Sequence, residues 1–102
     1  MKNNTVKEKT ITNEILKYLK SLDNCFCWKE HGGMYGTAGI PDIICCYEGM
    51  FIGIEVKRPG GKVSKLQEVT LRKIQVAGGI ALVAYNTEDV VRTIVSLSEK
   101  SK

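Results

Sequence analysis

The chain has no apolar run approaching the roughly 20 residues of a membrane-spanning helix, and its opening stretch MKNNTVKEKT lacks the apolar region of a signal peptide. The expectation is a soluble, intracellular protein with no membrane partner. Cysteine pairs at zinc-site spacing are missing too. Cys25 and Cys27 form C-x-C, Cys45 and Cys46 are adjacent, and the one histidine, His31, has no matched partner. The four thiols read as reduced, small hydrophobes inside strands. No repeat, linker or low-complexity segment divides the 102 residues. They read as a single domain, 1–102, too small to carry a separate substrate-binding module, so binding and chemistry must share one surface.

What is present is a mild excess of positive charge, +4 from 15 basic and 11 acidic residues. That balance is compatible with a polyanionic partner without requiring one. The distribution is more telling than the sum. Arg58, Lys62, Lys65, Arg72 and Lys73 crowd one stretch with Lys57, while the acids are scattered, and this clustering favours phosphate contact.

Thr5-Val6-Lys7-Glu8 has the form of a capping box, and Ile11, Ile15, Leu19 and Leu22 follow at helical spacing, so a helix is expected over about 6–22. Asp23-Asn24 breaks it. Cys25 to His31, bounded by Gly32-Gly33, reads as a strand, and Gly32 to Gly39 as a flexible loop. Pro41 fits the first residue of a second strand running to Tyr47. Glu48-Gly49 reads as a two-residue hairpin turn, and Met50 to Lys57 returns antiparallel with Ile52, Ile54 and Val56 on one face. Arg58-Pro59-Gly60-Gly61 ends that strand. Ser64-x-x-Gln67 then caps a helix with an apolar stripe at Leu66, Val69, Thr70, Ile74 and Ala77, stopped by Gly78-Gly79. Ile80 to Tyr85 reads as a buried strand, and a last helix capped near Asn86 or Thr87 carries Val90, Val91, Ile94, Val95 and Leu97. The order α-β-β-β-α-β-α suits an α/β fold, a mixed sheet with helices on its faces.

Pairing Tyr47 with Met50 and counting back along the hairpin places Asp42 opposite Glu55. Opposed Cβ atoms lie about 5 Å apart, a separation at which two carboxylates repel unless one holds a proton or a cation bridges them. Hard oxygen ligands without convergent histidines or thiolates suit Mg2+ or Mn2+. Lys57, two residues beyond Glu55, shares its face, while Ile54 and Val56 point to the core. A metal to polarise a phosphoryl oxygen and acidify water, beside a cation to stabilise developing charge, is what phosphodiester hydrolysis needs. Gly53, next along that face, would leave room for a substrate backbone. A solvated strand face with ordinary cross-strand ion pairs would show the same spacing.

Gly39-Ile40-Pro41-Asp42, then Glu55-Val56-Lys57, then Gln67 in the following helix, resemble the VRR-NUC (virus-type replication-repair nuclease) branch of the PD-(D/E)xK superfamily, and the similarity spans nearly the whole chain. The resemblance implies a restriction-endonuclease-like fold. It implies that Asp42, Glu55 and the Val56 carbonyl hold the metal, that Lys57 orients or activates the attacking water, and that Glu14 and Gln67 complete the site, Glu14 also as a metal ligand. From the residues alone, Glu14 neighbours Ile11, Ile15 and Leu22 and could lean toward the sheet, or could equally be a solvated helix glutamate. Gln67 occupies the N3 position where a capping box places a glutamine for structural reasons, and both roles are compatible.

The activity the resemblance implies is metal-dependent hydrolysis of DNA to a 5′-phosphate and a 3′-hydroxyl, and the expected compartment is the cytoplasm of a microbial or virus-infected host cell, phage included. A chain this small has little surface for reading bases in a groove, so structure-specific cutting of branched DNA is expected, as by a Holliday-junction resolvase. Symmetric cutting of two strands calls for a homodimer. A monomeric nicking or flap nuclease, and a DNA-binding module without turnover, remain as alternatives. His31 reads as a polar strand-end residue outside catalysis. Trp28 and Tyr35 could stack on bases, although a strand tryptophan is more often core. The loop Gly32 to Gly39 is the expected DNA- or partner-contacting element.

Overall fold

A computed structural model of the chain describes residues 6–31 and 38–100. The elements are α1 (Glu8–Lys20), β1 (Cys25–Lys29), β2 (Ile43–Tyr47), β3 (Met50–Val56), α2 (Lys65–Val76), β4 (Ile80–Ala84) and α3 (Thr87–Lys100). This is the expected order. The four strands form one sheet in the order β1-β2-β3-β4, with β1, β2 and β3 antiparallel and β4 parallel to β3.

The β2–β3 hairpin closes on Glu48 and Gly49, at φ 50° and 84°. Two successive positive φ values make a primed turn, whose twist matches that of the flanking strands and fixes their register. Tyr47 accordingly pairs with Met50, and the ladder runs back to Ile43 opposite Ile54. That register sends Ile43, Cys45, Tyr47, Ile52, Ile54 and Val56 to one face, where they form the core with Ile11, Ile15 and Leu19 of α1 and Val90 and Ile94 of α3. Truncating one of these fully buried isoleucines to alanine would cost about 2–5 kcal/mol. Tyr47 reaches across the core to Ser98, its Oη 2.6 Å from the serine Oγ.

The helix ends differ in how they are capped. Ser64 and Gln67 form the expected capping box of α2. Asn86 caps α3 through Asp89 N–H at 2.9 Å. At α1 the N-cap is Lys7, with no side-chain cap bond, so the box expected at Thr5 is not the observed start; Thr5 itself lies outside the described residues.

Helix α2 packs on the other sheet face, and there the expected apolar stripe is not buried. Leu66 is 50% exposed, Val69 and Ala77 are exposed, and Leu71 is the helix's buried residue. The stripe instead borders an open groove of about 520 Å³, with Ile40 and Phe51 on its other side. Nor does Gly53 leave space for a substrate. A Cβ there would come within 3.0 Å of Ile74 Cδ1 and Pro41 Cγ, so the missing side chain lets α2 and Pro41 close down on the strand.

Candidate active site

Asp42 precedes β2 by one residue, and the hairpin register continued one step sets it opposite Glu55. Its Oδ2 accepts a hydrogen bond from Val56 N–H at 2.8 Å, which locks the carboxylate against the end of β3. Glu55 alternates with the core residues Ile54 and Val56 and so points to the α2 face, where it is only 2% exposed. Its Oε2 accepts from Gln67 Nε2 at 2.8 Å and lies 3.7 Å from Lys57 Nζ. Its Oε1 is buried, with no hydrogen-bond partner among the described residues.

Burial pushes the Glu55 carboxyl up to about 7, and the charge of neighbouring Asp42 pushes the same way. Lys57 pulls it down without overcoming the other two. The strand pair thus holds a carboxyl that resists ionisation and has one oxygen unspent. A divalent cation would supply both missing elements, a counter-charge and a partner for Oε1. Asp42, Glu55 and the Val56 backbone fit such an ion as hard oxygen donors. The acidic donors there number two, since no group of three or more His, Cys, Asp and Glu side chains gathers as a metal site among the described residues.

Gln67 serves both the helix start and the site. Its Oε1 accepts from Ser64 N–H at 2.8 Å, closing the capping box, while its Nε2 bonds Glu55. Glu14 is not brought to this cluster. It is exposed on α1, roughly 100° round the helix from buried Ile15, and no hydrogen bond or ion pair joins it to the site residues. The acid of α1 that reaches this end of the sheet is Glu8, whose Oε2 lies 3.5 Å from Arg58 N. The sequence carried that signal, because Glu8, Ile11, Ile15 and Leu19 follow i, i+3, i+7, i+11 on one helix face.

Arg58 and Lys62 are exposed on the segment that leaves Lys57, and Lys65 opens α2, so three of the expected phosphate-contacting cations stand close in sequence to the site. Arg72 and Lys73 lie two turns further along α2, roughly 11 Å away. Tyr35 and most of the expected contacting loop lie outside the described residues. Trp28 is not core: it is 43% exposed. The thiols behave as expected at Cys27 and Cys45, which are buried, but Cys46 is exposed.

No helix among the described residues is long and apolar enough to cross a membrane. No protein-family model matches the sequence, and no curated protein does. Solved structures do match. One, a VRR_NUC domain, has a TM-score of 0.72 at 19% identity over 85% of this chain and 92% of its own. Another, a VRR_NUC domain protein, has a TM-score of 0.68 at 20% identity over 89% of this chain and 87% of its own. A mixed four-stranded sheet flanked by helices in the order α-β-β-β-α-β-α is thus the fold that this chain shares with VRR_NUC domains.

Proposed function

We propose that the chain is a metal-dependent endonuclease that hydrolyses DNA phosphodiester bonds. The observation that carries the reading is Glu55, a carboxylate 2% exposed, with an unpartnered Oε1, set against Asp42 and Lys57. Structural roles do not call for such an arrangement, because a buried unpaired oxygen costs about 1–3 kcal/mol. Likeness in fold to VRR_NUC domains supports the same reading.

In this reading Asp42, Glu55 and the Val56 carbonyl hold Mg2+ or Mn2+. The ion supplies a Lewis acid at the phosphate and lowers the pKa of a bound water. The remaining work falls to the chain. Val56 N–H orients Asp42. Gln67 holds Glu55 Oε2 in place and keeps the carboxylate from rotating. Lys57, its side chain only 16% exposed, offers an ammonium to the charge that grows on the phosphoryl oxygens, at the edge of a desolvated site where such a charge acts strongly. Arg58, Lys62 and Lys65 contact flanking phosphates. Branched DNA is the proposed substrate, since the site occupies one end of a small sheet and shape recognition needs less surface than base reading. A homodimer would supply two such sites for paired nicks.

The test is cleavage of labelled four-way junction, flap, single-stranded and duplex DNA with Mg2+, Mn2+ or EDTA, by the wild type, Lys57→Ala and Asp42→Ala. Cutting that needs metal and disappears in both variants supports the nuclease, and symmetric nicks confined to the junction support the resolvase form. Equal cutting by the variants, or none by the wild type on any substrate, refutes the catalytic assignment.

A further inference from the structure

Two aromatic side chains of β1 stand in solvent on the sheet face that carries Asp42 and Glu55. Phe26 is 70% and Trp28 43% exposed, with ring centroids 5.5 Å apart at 48°. Trp28 Nε1 donates to Glu30 Oε1 at 3.0 Å, so the indole is held as well as exposed. The strand register puts the pair in line with the site. Phe26 pairs with Cys46 and Cys46 with Phe51; Trp28 pairs with Ile44 and Ile44 with Gly53. One step further, Glu30 N–H donates to the Asp42 carbonyl at 2.7 Å, in the row that continues to Glu55. Successive rows lie roughly 7 Å apart, so the rings stand one and two rows from the carboxylates. β1 is an edge strand.

We propose that Phe26 and Trp28 form a stacking platform for unpaired bases of a DNA strand whose adjoining phosphate reaches Asp42, Glu55 and Lys57. The inference rests on the nuclease reading and narrows its substrate class to DNA with a single-stranded segment beside the cut. Ring faces suit bases of any sequence, because every base presents a π-face. Glu30 is engaged with Trp28, which ties ring orientation to the carboxylate row. A second copy of the chain is the competing occupant of this face, which sedimentation of the variants separates from a DNA strand.

Trp28 is the chain's one tryptophan, so its emission reports directly on the platform. In EDTA, where binding is read without turnover, titration with a short oligodeoxythymidine quenches that emission, and blunt duplex of the same length does not. By anisotropy of a labelled strand, Trp28→Leu and Phe26→Leu each weaken single-strand binding on the order of tenfold, while Trp28→Phe retains most of it. Both positions are exposed, and thermal melts followed by circular dichroism confirm that the variants keep the fold. Absence of quenching, or leucine variants that bind the single strand as tightly as wild type, overturns the platform. So does a double variant whose sedimentation falls from dimer to monomer with DNA binding unchanged. Quenching without cleavage of any substrate leaves the platform standing and the nuclease reading refuted. Metal-dependent cleavage in which Trp28→Leu cuts flap and duplex as wild type does leaves the nuclease standing and the platform refuted.

Discussion

Gln67 Nε2 donates to Glu55 Oε2 at 2.8 Å while the same side chain closes the capping box of α2 through Ser64. A helix start is thereby bonded directly to the buried carboxylate of β3, so that helix position and carboxylate orientation are set together. Gln67→Ala removes both bonds and is expected to lower stability by about 1–2 kcal/mol, read as a lower melting temperature. Gln67→Glu keeps a cap acceptor but sets a carboxylate against Glu55. It should melt closer to wild type than the alanine variant and still cleave DNA more slowly. If the two variants are equal in both measurements, the bond to Glu55 carries no weight.

The raised Glu55 carboxyl has a consequence for stability. The folded chain keeps that proton up to about 7, whereas an unfolded glutamate loses it near 4.5. Between those values the folded state binds more protons, so the contribution is fully present below 4.5 and is lost as pH rises through 7. In EDTA, unfolding free energy should fall across that window by up to about 3 kcal/mol. Glu55→Gln removes the titration, and in EDTA at pH 8 should melt above wild type while losing metal binding. A wild-type pH profile identical to that of the glutamine variant contradicts this.

Metal binding should show the same group from the other side. An ion held by Glu55 requires the ionised carboxylate, so binding below pH 7 releases a proton and affinity rises with pH up to about that value. Calorimetry of Mn2+ binding in two buffers of different ionisation enthalpy measures the proton count. A count of zero at pH 6 would exclude Glu55 as a ligand.

Glu8 and Glu14 make a matched pair of tests on one helix. Glu8→Gln, which replaces the exposed carboxylate that meets Arg58 N–H, should reduce cleavage about 2–5-fold. Glu14→Gln, on the exposed flank, should leave cleavage within twofold of wild type. The reverse pattern would return the α1 acid to Glu14.

Gly39 sits at φ 80°, and a Cβ there would lie 2.8 Å from Thr70 Oγ1 and 2.9 Å from Leu66 Cγ. Gly39→Ala should therefore push the Pro41-Asp42 corner away from α2, with a destabilisation of about 1–3 kcal/mol and a larger loss of metal affinity than of fold. Thermal melts and Mn2+ titration on the same sample separate the two effects.

By itself the sequence determined whatever short-range chemistry controls. A two-residue turn at Glu48-Gly49 leaves one hairpin register, and with it the facing of Asp42 and Glu55 and the alternation that separates Glu55 from Ile54 and Val56. Ser64 and Gln67 declare a helix start through bonds three residues apart, and they are there. Tertiary structure alone decided which helix faces meet the sheet and how far. Periodicity marks a stripe but not its depth, so Leu66 and Val69 read as core and border an open groove, and Trp28 stands in solvent. The choice of Glu8 over Glu14 is of the same kind. Both carboxylates are exposed, and although Glu8 shares a helix face with Ile11, Ile15 and Leu19, only the placement of α1 over β3 brings it to Arg58 N–H, because local spacing sets a side chain's direction and packing sets what it meets.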